Sequence, residues 1–245
     1  MGKWIARILV VIAAGAALLY ASADKDTRRL LANIPLDRDA LFWSIPQRDA
    51  AFRAMDWLPI LAEARVIAAG DNTYALLQGS PIAIDTNIER YMAEQRTAGL
   101  IIIQDGKVRL ERYGLEFDAT GKWTSFSVAK SFTSTMVGAA IKDGFIKSID
   151  DKVSDYIPNL KGSAYDDVSI EHLLTMTSGV KWSEDYEDPN SDVALFNEHE
   201  PEPGIDATVS YMRTLSREAP AGSKWAYKTG ETNLIGVLVS AATGK

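Results

Sequence analysis

The sequence predicts an α+β fold, in which a sheet is flanked by helices, and two kinds of pattern lead to that prediction. Residues 100–104 and 107–113 flank the pair Asp105-Gly106, which suits the type I′ turn of a β-hairpin. Farther along the chain, apolar residues recur at helical spacing in segments 124–144, 169–176, 206–215 and 233–242. We therefore expect one sheet that begins at the hairpin, and a mostly helical subdomain over about residues 146–220.

The helix predicted over residues 124–144 has apolar residues at steps of four, which is the period of one buried helix face. These residues are Val128, Phe132, Met136 and Ala140. Gly144 follows them and is the kind of residue that ends a helix. A shorter amphipathic helix is expected over residues 85–95, with Asp85 as its N-terminal cap.

The first 23 residues have the pattern of an export signal. Lys3 and Arg7 precede an uncharged apolar run, and Ala21-Ser22-Ala23 has the small-x-small form of a signal-peptidase site. A helix over residues 8–23 would reach about 24 Å, short of the roughly 30 Å hydrocarbon core of a bilayer. Cleavage is therefore favoured, and an uncleaved membrane tether at residues 8–23 stays open. The protein is expected to be periplasmic or secreted, with or without this anchor.

Residues 24–83 are expected to form an irregular N-terminal extension that wraps on the main domain. Aromatic and apolar residues are scattered there among charges: Trp43, Phe52, Met55, Trp57 and Leu58. No polar residues converge with them in the sequence, so a packing role is expected.

Composition excludes several classes of function. The chain of 245 residues has a formal charge of −7 and no clustered Lys or Arg, which argues against a nucleic-acid partner. It has no cysteine, so disulfides, thiolate metal sites and a cysteine nucleophile are excluded. Two histidines without a His-Glu-x-x-His pattern do not make the common zinc protease site. We expect no metal and no cofactor.

Residues 183–206 contain nine Asp and Glu and no Lys or Arg. Such an acidic segment is expected to be a long surface loop. It could also form one lip of a cleft that disfavours anionic substrates. His172, which lies among apolar residues, is expected to have a structural role.

The pattern Ser-x-x-Lys occurs three times, at Ser22/Lys25, Ser127/Lys130 and Ser178/Lys181. Only Ser127 begins a long apolar-periodic helix, where a hydroxyl and an amine three residues apart project on the same side. A nucleophilic serine is one interpretation, and an ordinary helix cap is the other. No Gly-x-Ser-x-Gly occurs, so a serine hydrolase here would need lysine or tyrosine as its base.

Three ordered blocks, 126–132, 170–179 and 220–236, resemble the serine β-lactamase and penicillin-binding-protein superfamily. The resemblance is to its class C-like serine hydrolases, which include esterases and 6-aminohexanoate-dimer hydrolases. It covers about residues 84–245, as a partial domain of β-lactamase/transpeptidase-like fold.

The resemblance implies a role for four residues. Ser127 matches the acylated nucleophile, and Lys130 matches its proton acceptor or the group that holds it ready. Tyr227 matches the tyrosine of the second motif, usually Tyr-x-Asn, and would pass a proton to the leaving group. Thr229 stands at the substrate-binding third position instead of asparagine, which favours an esterase or linear-amide hydrolase over a strict β-lactamase.

The family's third motif is interpreted as absent. Residues 228–230 spell Lys-Thr-Gly, but they follow Tyr227 directly and lead into a predicted helix, whereas the family's motif lies on a later strand. We therefore expect the chain to be a fragment with an incomplete sheet and weak activity, since losing one oxyanion donor costs on the order of 10²–10³ in turnover.

The expected function is hydrolysis of an ester or amide bond through a serine ester, without metal or cofactor. The expected partner is a small ester, amide or short peptide. One alternative is a D-Ala-D-Ala carboxypeptidase or β-lactamase. Another is a non-catalytic module that binds cell-wall or peptide ligands.

Overall fold

The structure is a computed structural model that describes residues 2–37, 39–56 and 66–244. The chain divides into two compact units, Met1–Thr124 and Ser125–Lys245. Trp57 and Leu58, for which packing roles were predicted, lie outside the described residues.

The first unit contains four helices and three strands among its described residues. These are α1 (Gly2–Ser22), α2 (Lys25–Ala32), α3 (Ile45–Ala51), β1 (Leu77–Gln78), α4 (Ile88–Glu94), β2 (Gly99–Gln104) and β3 (Lys107–Tyr113). In the described part of the chain, no helix has both the length and the apolar character that a bilayer crossing requires.

The predicted hairpin is confirmed. Strands β2 and β3 pair antiparallel, and Asp105 and Gly106 between them both have positive φ, as a type I′ turn requires. The sequence did not indicate β1, which is only two residues long and pairs parallel with β3. The resulting sheet has the order β1-β3-β2.

Two predictions for this unit were wrong in detail. Helix α4 begins at Ile88, and its cap is Asn87, whose side chain accepts the Arg90 N–H at 2.8 Å. Asp85 lies too far upstream to serve this helix. The segment expected to be irregular contains α2 and α3, because Asp24 caps α2 and a capping box begins α3.

A small core in this unit is formed by Leu30, Trp43, Ala50, Ala51 and Ala54, with Phe52 packed against it. The indole N–H of Trp43 donates to Asp37 at 2.7 Å. Trp43 and Phe52 are therefore packing residues, as their surroundings in the sequence indicated.

The second unit is helical in its described residues, and the α+β class of the chain is confirmed. Its helices are α5 (Ala129–Lys142), α6 (Val153–Tyr156), α7 (Ile170–Leu174), α8 (Asp192–Glu198), α9 (Ala207–Met212) and α10 (Thr229–Thr243), with 3₁₀ turns at Phe126–Val128 and Pro158–Leu160. Ser169 and Asp206, the first residues of two segments predicted to be helical, cap α7 and α9. Helix α8 lies within the acidic segment that the sequence had indicated to be a loop.

Of the four residues predicted to form one buried apolar face along α5, only Ala140 is buried. Val128, Phe132 and Met136 are 62, 69 and 53% exposed. The buried residues of this helix are Val137 and Ala140, which share a core with Leu234 of α10. Helix α5 has apolar residues on more than one side, and periodicity alone does not tell which side its neighbour α10 covers.

A pair of opposite charges is buried in this core. Lys228 and Glu231 are both fully buried, and Lys228 Nζ lies 3.5 Å from Glu231 Oε1. The same oxygen accepts hydrogen bonds from Ser178 Oγ and, at 3.3 Å, from Tyr165 OH. Burial raises the pKa of the Glu231 carboxyl, and the charge of Lys228 and these hydrogen bonds oppose that rise.

We expect Glu231→Gln and Lys228→Met each to lower the free energy of unfolding by about 3–5 kcal/mol, because each leaves one charge buried without its partner. The double variant Lys228→Met/Glu231→Gln should lose clearly less than the sum, since neither charge remains. Urea unfolding of the three variants and the parent measures this.

The matched control is Glu218→Ala at the solvent-exposed Lys224–Glu218 pair, whose atoms are 2.8 Å apart. It should leave the free energy of unfolding nearly unchanged. If the losses in the free energy of unfolding of the two single core variants simply added in the double variant, this would contradict the interpretation that the buried charges compensate each other.

Candidate active site

Ser127 lies in the 3₁₀ turn that leads into α5, and its side chain is exposed. The residue before it, Phe126, has φ of +41°. A bulky residue in this region costs on the order of 1–3 kcal/mol, and such backbone strain clusters at functional sites. The strained turn presents the Ser127 hydroxyl at the beginning of α5.

Two further side chains meet that hydroxyl. Lys130 Nζ donates to Ser127 Oγ at 3.0 Å, and Tyr227 OH donates to the same oxygen at 2.9 Å. Lys130 Nζ also lies 5.2 Å from the centroid of the Tyr227 ring, within the range of a cation–π interaction. The structure thus brings together three of the four predicted site residues, one of them from 100 residues away.

The other two Ser-x-x-Lys patterns have different surroundings. Ser22 Oγ donates to the carbonyl of Leu19 at 3.0 Å, within α1. Ser178 is fully buried, and its hydroxyl donates to Glu231. Only at Ser127 does the described chain show a contact between the serine and its lysine.

Tyr227 lies two residues before α10, which begins at Thr229. Lys228 has an extended backbone, with φ −142° and ψ 106°, so the side chains of Tyr227 and Lys228 point to opposite sides. Tyr227 contacts Ser127 while Lys228 enters the core. Lys-Thr-Gly at residues 228–230 therefore lies at a helix N-terminus and not on a strand, in agreement with the sequence interpretation.

Thr229 contacts Glu184. Its backbone N–H donates to Glu184 Oε2 at 2.9 Å, and its hydroxyl donates to Glu184 Oε1. The indole N–H of Trp182 and, at 2.8 Å, the hydroxyl of Tyr186 donate to the same carboxylate. Sequence reasoning had treated Glu184 only as part of an acidic segment, because its donors are not visible from composition.

Sequence reasoning also missed the buried Lys228–Glu231 pair beside Tyr227. A signal was available, since two opposite charges three residues apart precede the apolar run 234–239. Such charges are almost never fully buried unless they are paired.

His172 does not take part in the Ser127 cluster. Its Nδ1 accepts the backbone N–H of Ser169 at 3.2 Å, and Ser169 Oγ accepts the His172 N–H at 3.2 Å. This reciprocal cap begins α7 and is a structural role, as expected. Within residues 2–37, 39–56 and 66–244, no group of three His, Cys, Asp or Glu side chains is arranged to hold a metal ion.

The chain is similar to several known proteins. The 6-aminohexanoate-dimer hydrolase of Paenarthrobacter ureafaciens is 28% identical over 166 residues, which are 64% of this chain and 41% of that protein. A beta-lactamase of Pseudomonas fluorescens is 35% identical over 105 residues, 39% of this chain and 29% of that protein. The chain thus spans less than half the length of these curated relatives.

A solved structure from Bacillus anthracis, provisionally assigned as a 6-aminohexanoate-dimer hydrolase, has the same fold. The two align with a TM-score of 0.59 at 18% identity, over 82% of this chain and 56% of that one. The sequence model of the family described as Beta-lactamase matches residues 84–245, a range that includes Ser127, Lys130 and Tyr227. This chain belongs to the beta-lactamase family.

Proposed function

We propose that the protein is a serine hydrolase that cleaves an ester or amide bond through an acyl-enzyme on Ser127. The observation that carries the proposal is the convergence of Lys130 Nζ and Tyr227 OH on Ser127 Oγ, at 3.0 and 2.9 Å. Membership of the beta-lactamase family supports it. Ser127 is exposed, so a substrate can reach its oxygen.

In the acylation step, Ser127 Oγ attacks the carbonyl carbon and loses its proton. Both Lys130 and Tyr227 lie within hydrogen-bond reach of Oγ, so the proton can pass to a neutral amine or to a phenolate. The backbone N–H of Ser127 is proposed as one donor to the developing oxyanion. When the bond to the leaving group breaks, the leaving oxygen or nitrogen takes a proton from Tyr227.

Deacylation reverses these transfers. A water molecule attacks the carbonyl carbon of the Ser127 ester and gives a proton to the cluster of Lys130 and Tyr227. The bond from that carbon to Oγ then breaks, and Oγ regains a proton. The acid product leaves and the cluster returns to its first state.

We propose a small ester, a linear amide or a short peptide as the substrate. Thr229 replaces the usual asparagine and donates its hydroxyl to Glu184, which favours this class over β-lactams. A relative named 6-aminohexanoate-dimer hydrolase supports the linear amide, whereas a relative named beta-lactamase keeps β-lactamase or D-Ala-D-Ala carboxypeptidase activity as the second candidate.

Export is also a proposal, and it rests on the charged, apolar and small-residue pattern of residues 1–23. Cleavage after Ala23 gives a periplasmic or secreted protein that begins at Asp24. An uncleaved segment leaves a membrane tether at residues 8–23. N-terminal sequencing of the protein from its native cells distinguishes the two forms.

The nucleophile is tested by labelling with a fluorophosphonate, which forms a covalent bond with an activated serine. We expect the parent to gain the mass of one phosphonyl group and Ser127→Ala to gain none. Ser131→Ala is the control, because Ser131 is an exposed serine one turn along the same helix. Intact mass spectrometry gives the stoichiometry. Equal labelling of Ser127→Ala and the parent would rule out Ser127 as the nucleophile, whereas no labelling of either would favour the non-catalytic binding module.

The proton-transfer groups are tested by kinetics on p-nitrophenyl esters. We expect Lys130→Met and Tyr227→Phe each to lower kcat/KM by about 10²–10⁴-fold, the usual contribution of positioned acid–base groups. Lys142→Met, an exposed lysine at the end of α5, should retain parental kcat/KM. If both site variants also retain it, the assigned roles are wrong.

Substrate class is ranked by the same parent protein on four compounds. These are a p-nitrophenyl ester, nitrocefin, the 6-aminohexanoate dimer and a D-Ala-D-Ala peptide. We expect the ester and the linear amide to give the higher kcat/KM values. Preference for nitrocefin or the D-Ala-D-Ala peptide would favour the second candidate.

A further inference from the structure

The carboxylate of Glu184 is fully occupied by donors. Each of its two oxygens accepts two hydrogen bonds: Oε1 from the hydroxyls of Tyr186 and Thr229, and Oε2 from the Trp182 indole and the Thr229 N–H. An ionised carboxylate has about four lone-pair sites. Glu184 therefore has no acceptor capacity left for a substrate.

Two of these donors belong to the first residue of α10. The first N–H groups of a helix have no partner within it, and a carboxylate there is stabilised by the helix dipole. Thr229 N–H is one of these groups, in a helix of 15 residues. Glu184 thus attaches the segment that follows Val180 to the beginning of α10.

This attachment lies two residues from Tyr227. On the other side of the chain, Lys228 is held in the core by Glu231. The side chains of residues 228 and 229 are consequently held on opposite sides of the chain. Glu231 holds Lys228, and Glu184 holds Thr229. The backbone that carries Tyr227 has little freedom to move its hydroxyl away from Ser127 Oγ.

The Thr229 hydroxyl has one proton, and that proton is donated to Glu184. It cannot at the same time be donated to the carbonyl of a substrate. The substrate contact predicted for Thr229 from the family motif therefore conflicts with the geometry of this chain. Tyr186 does not free the hydroxyl, since its own hydroxyl also donates to Glu184.

On the basis of the proposed hydrolase function, we propose that Glu184 is a positioning residue for Tyr227 and that Thr229 is its anchor instead of a substrate ligand. Glu184 acts through the beginning of α10 and touches no reacting atom. Its loss displaces the Tyr227 hydroxyl. A misplacement of about 1 Å at a reacting group can cost on the order of 10²-fold in rate.

The experiment compares steady-state kinetics of the parent, Glu184→Gln, Thr229→Val and Thr229→Ser on a p-nitrophenyl ester. Glu184→Gln puts an NH₂ group where two donors converge, and Thr229→Val removes the hydroxyl with little change of shape. We expect both to lower kcat by about 10- to 100-fold with little change in KM. Thr229→Ser keeps the hydroxyl and should therefore have a kcat equal to that of the parent.

The same changes are then made in a Tyr227→Phe background. If Glu184 acts through Tyr227, Glu184→Gln should have little further effect there, whereas independent sites would give additive losses. Glu187→Gln, which removes the same charge from an exposed position of the same segment, should match the parent. A thermal melt of each variant separates lost folding from lost positioning.

These experiments separate a failure of the positioning role from a failure of the proposed hydrolase function. Fluorophosphonate labelling of the parent at Ser127 establishes the function independently of Glu184, and its absence overturns both. With labelling present, a rise in KM for Thr229→Val but parental kinetics for Glu184→Gln would show that Thr229 binds substrate. Additive losses in the Tyr227→Phe background would overturn the positioning role.

Discussion

The pairing of Lys228 with Glu231 in the core of residues 125–245 is the constraint that the arrangement around Ser127 depends on. Both side chains are fully buried, so neither charge can be left without the other except at a cost of several kcal/mol. Because Lys228 follows Tyr227 directly, the ion pair that compensates the two buried charges also fixes the backbone of the tyrosine. The peptide bond between Tyr227 and Lys228 thus connects the contact with Ser127 to the buried ion pair.

Three consecutive residues at this point have three different environments. Tyr227 contacts the hydroxyl of Ser127, Lys228 enters the core, and Thr229 donates to Glu184. The extended backbone of Lys228 allows this alternation, because successive side chains of an extended chain point to opposite sides. A helix beginning two residues earlier would place Tyr227 on the surface of α10 and remove it from the turn that precedes α5.

Much of this architecture could be predicted from the sequence, for identifiable reasons. Local sequence patterns indicate the turn at Asp105-Gly106, the caps at Ser169 and Asp206, and helix α10. The turn and the caps are formed by hydrogen bonds between residues that are close in the chain. Glu184 could not be found in this way, because its donors come from residues up to 45 positions away. Most of the face of α5 that was predicted to be buried is exposed, since the covered side of a helix depends on its neighbours.

Ser127 and Lys130 are neighbours in the chain, but Tyr227 is 100 residues farther along. Closing a loop of this length costs entropy that is recovered only when α10 packs against α5. During synthesis, a chain that has emerged as far as α9 already carries the serine and the lysine without the phenol. The cluster of Ser127, Lys130 and Tyr227 is therefore complete only after α10 has docked against α5, and until then a nascent polypeptide holds the serine and the lysine without the tyrosine.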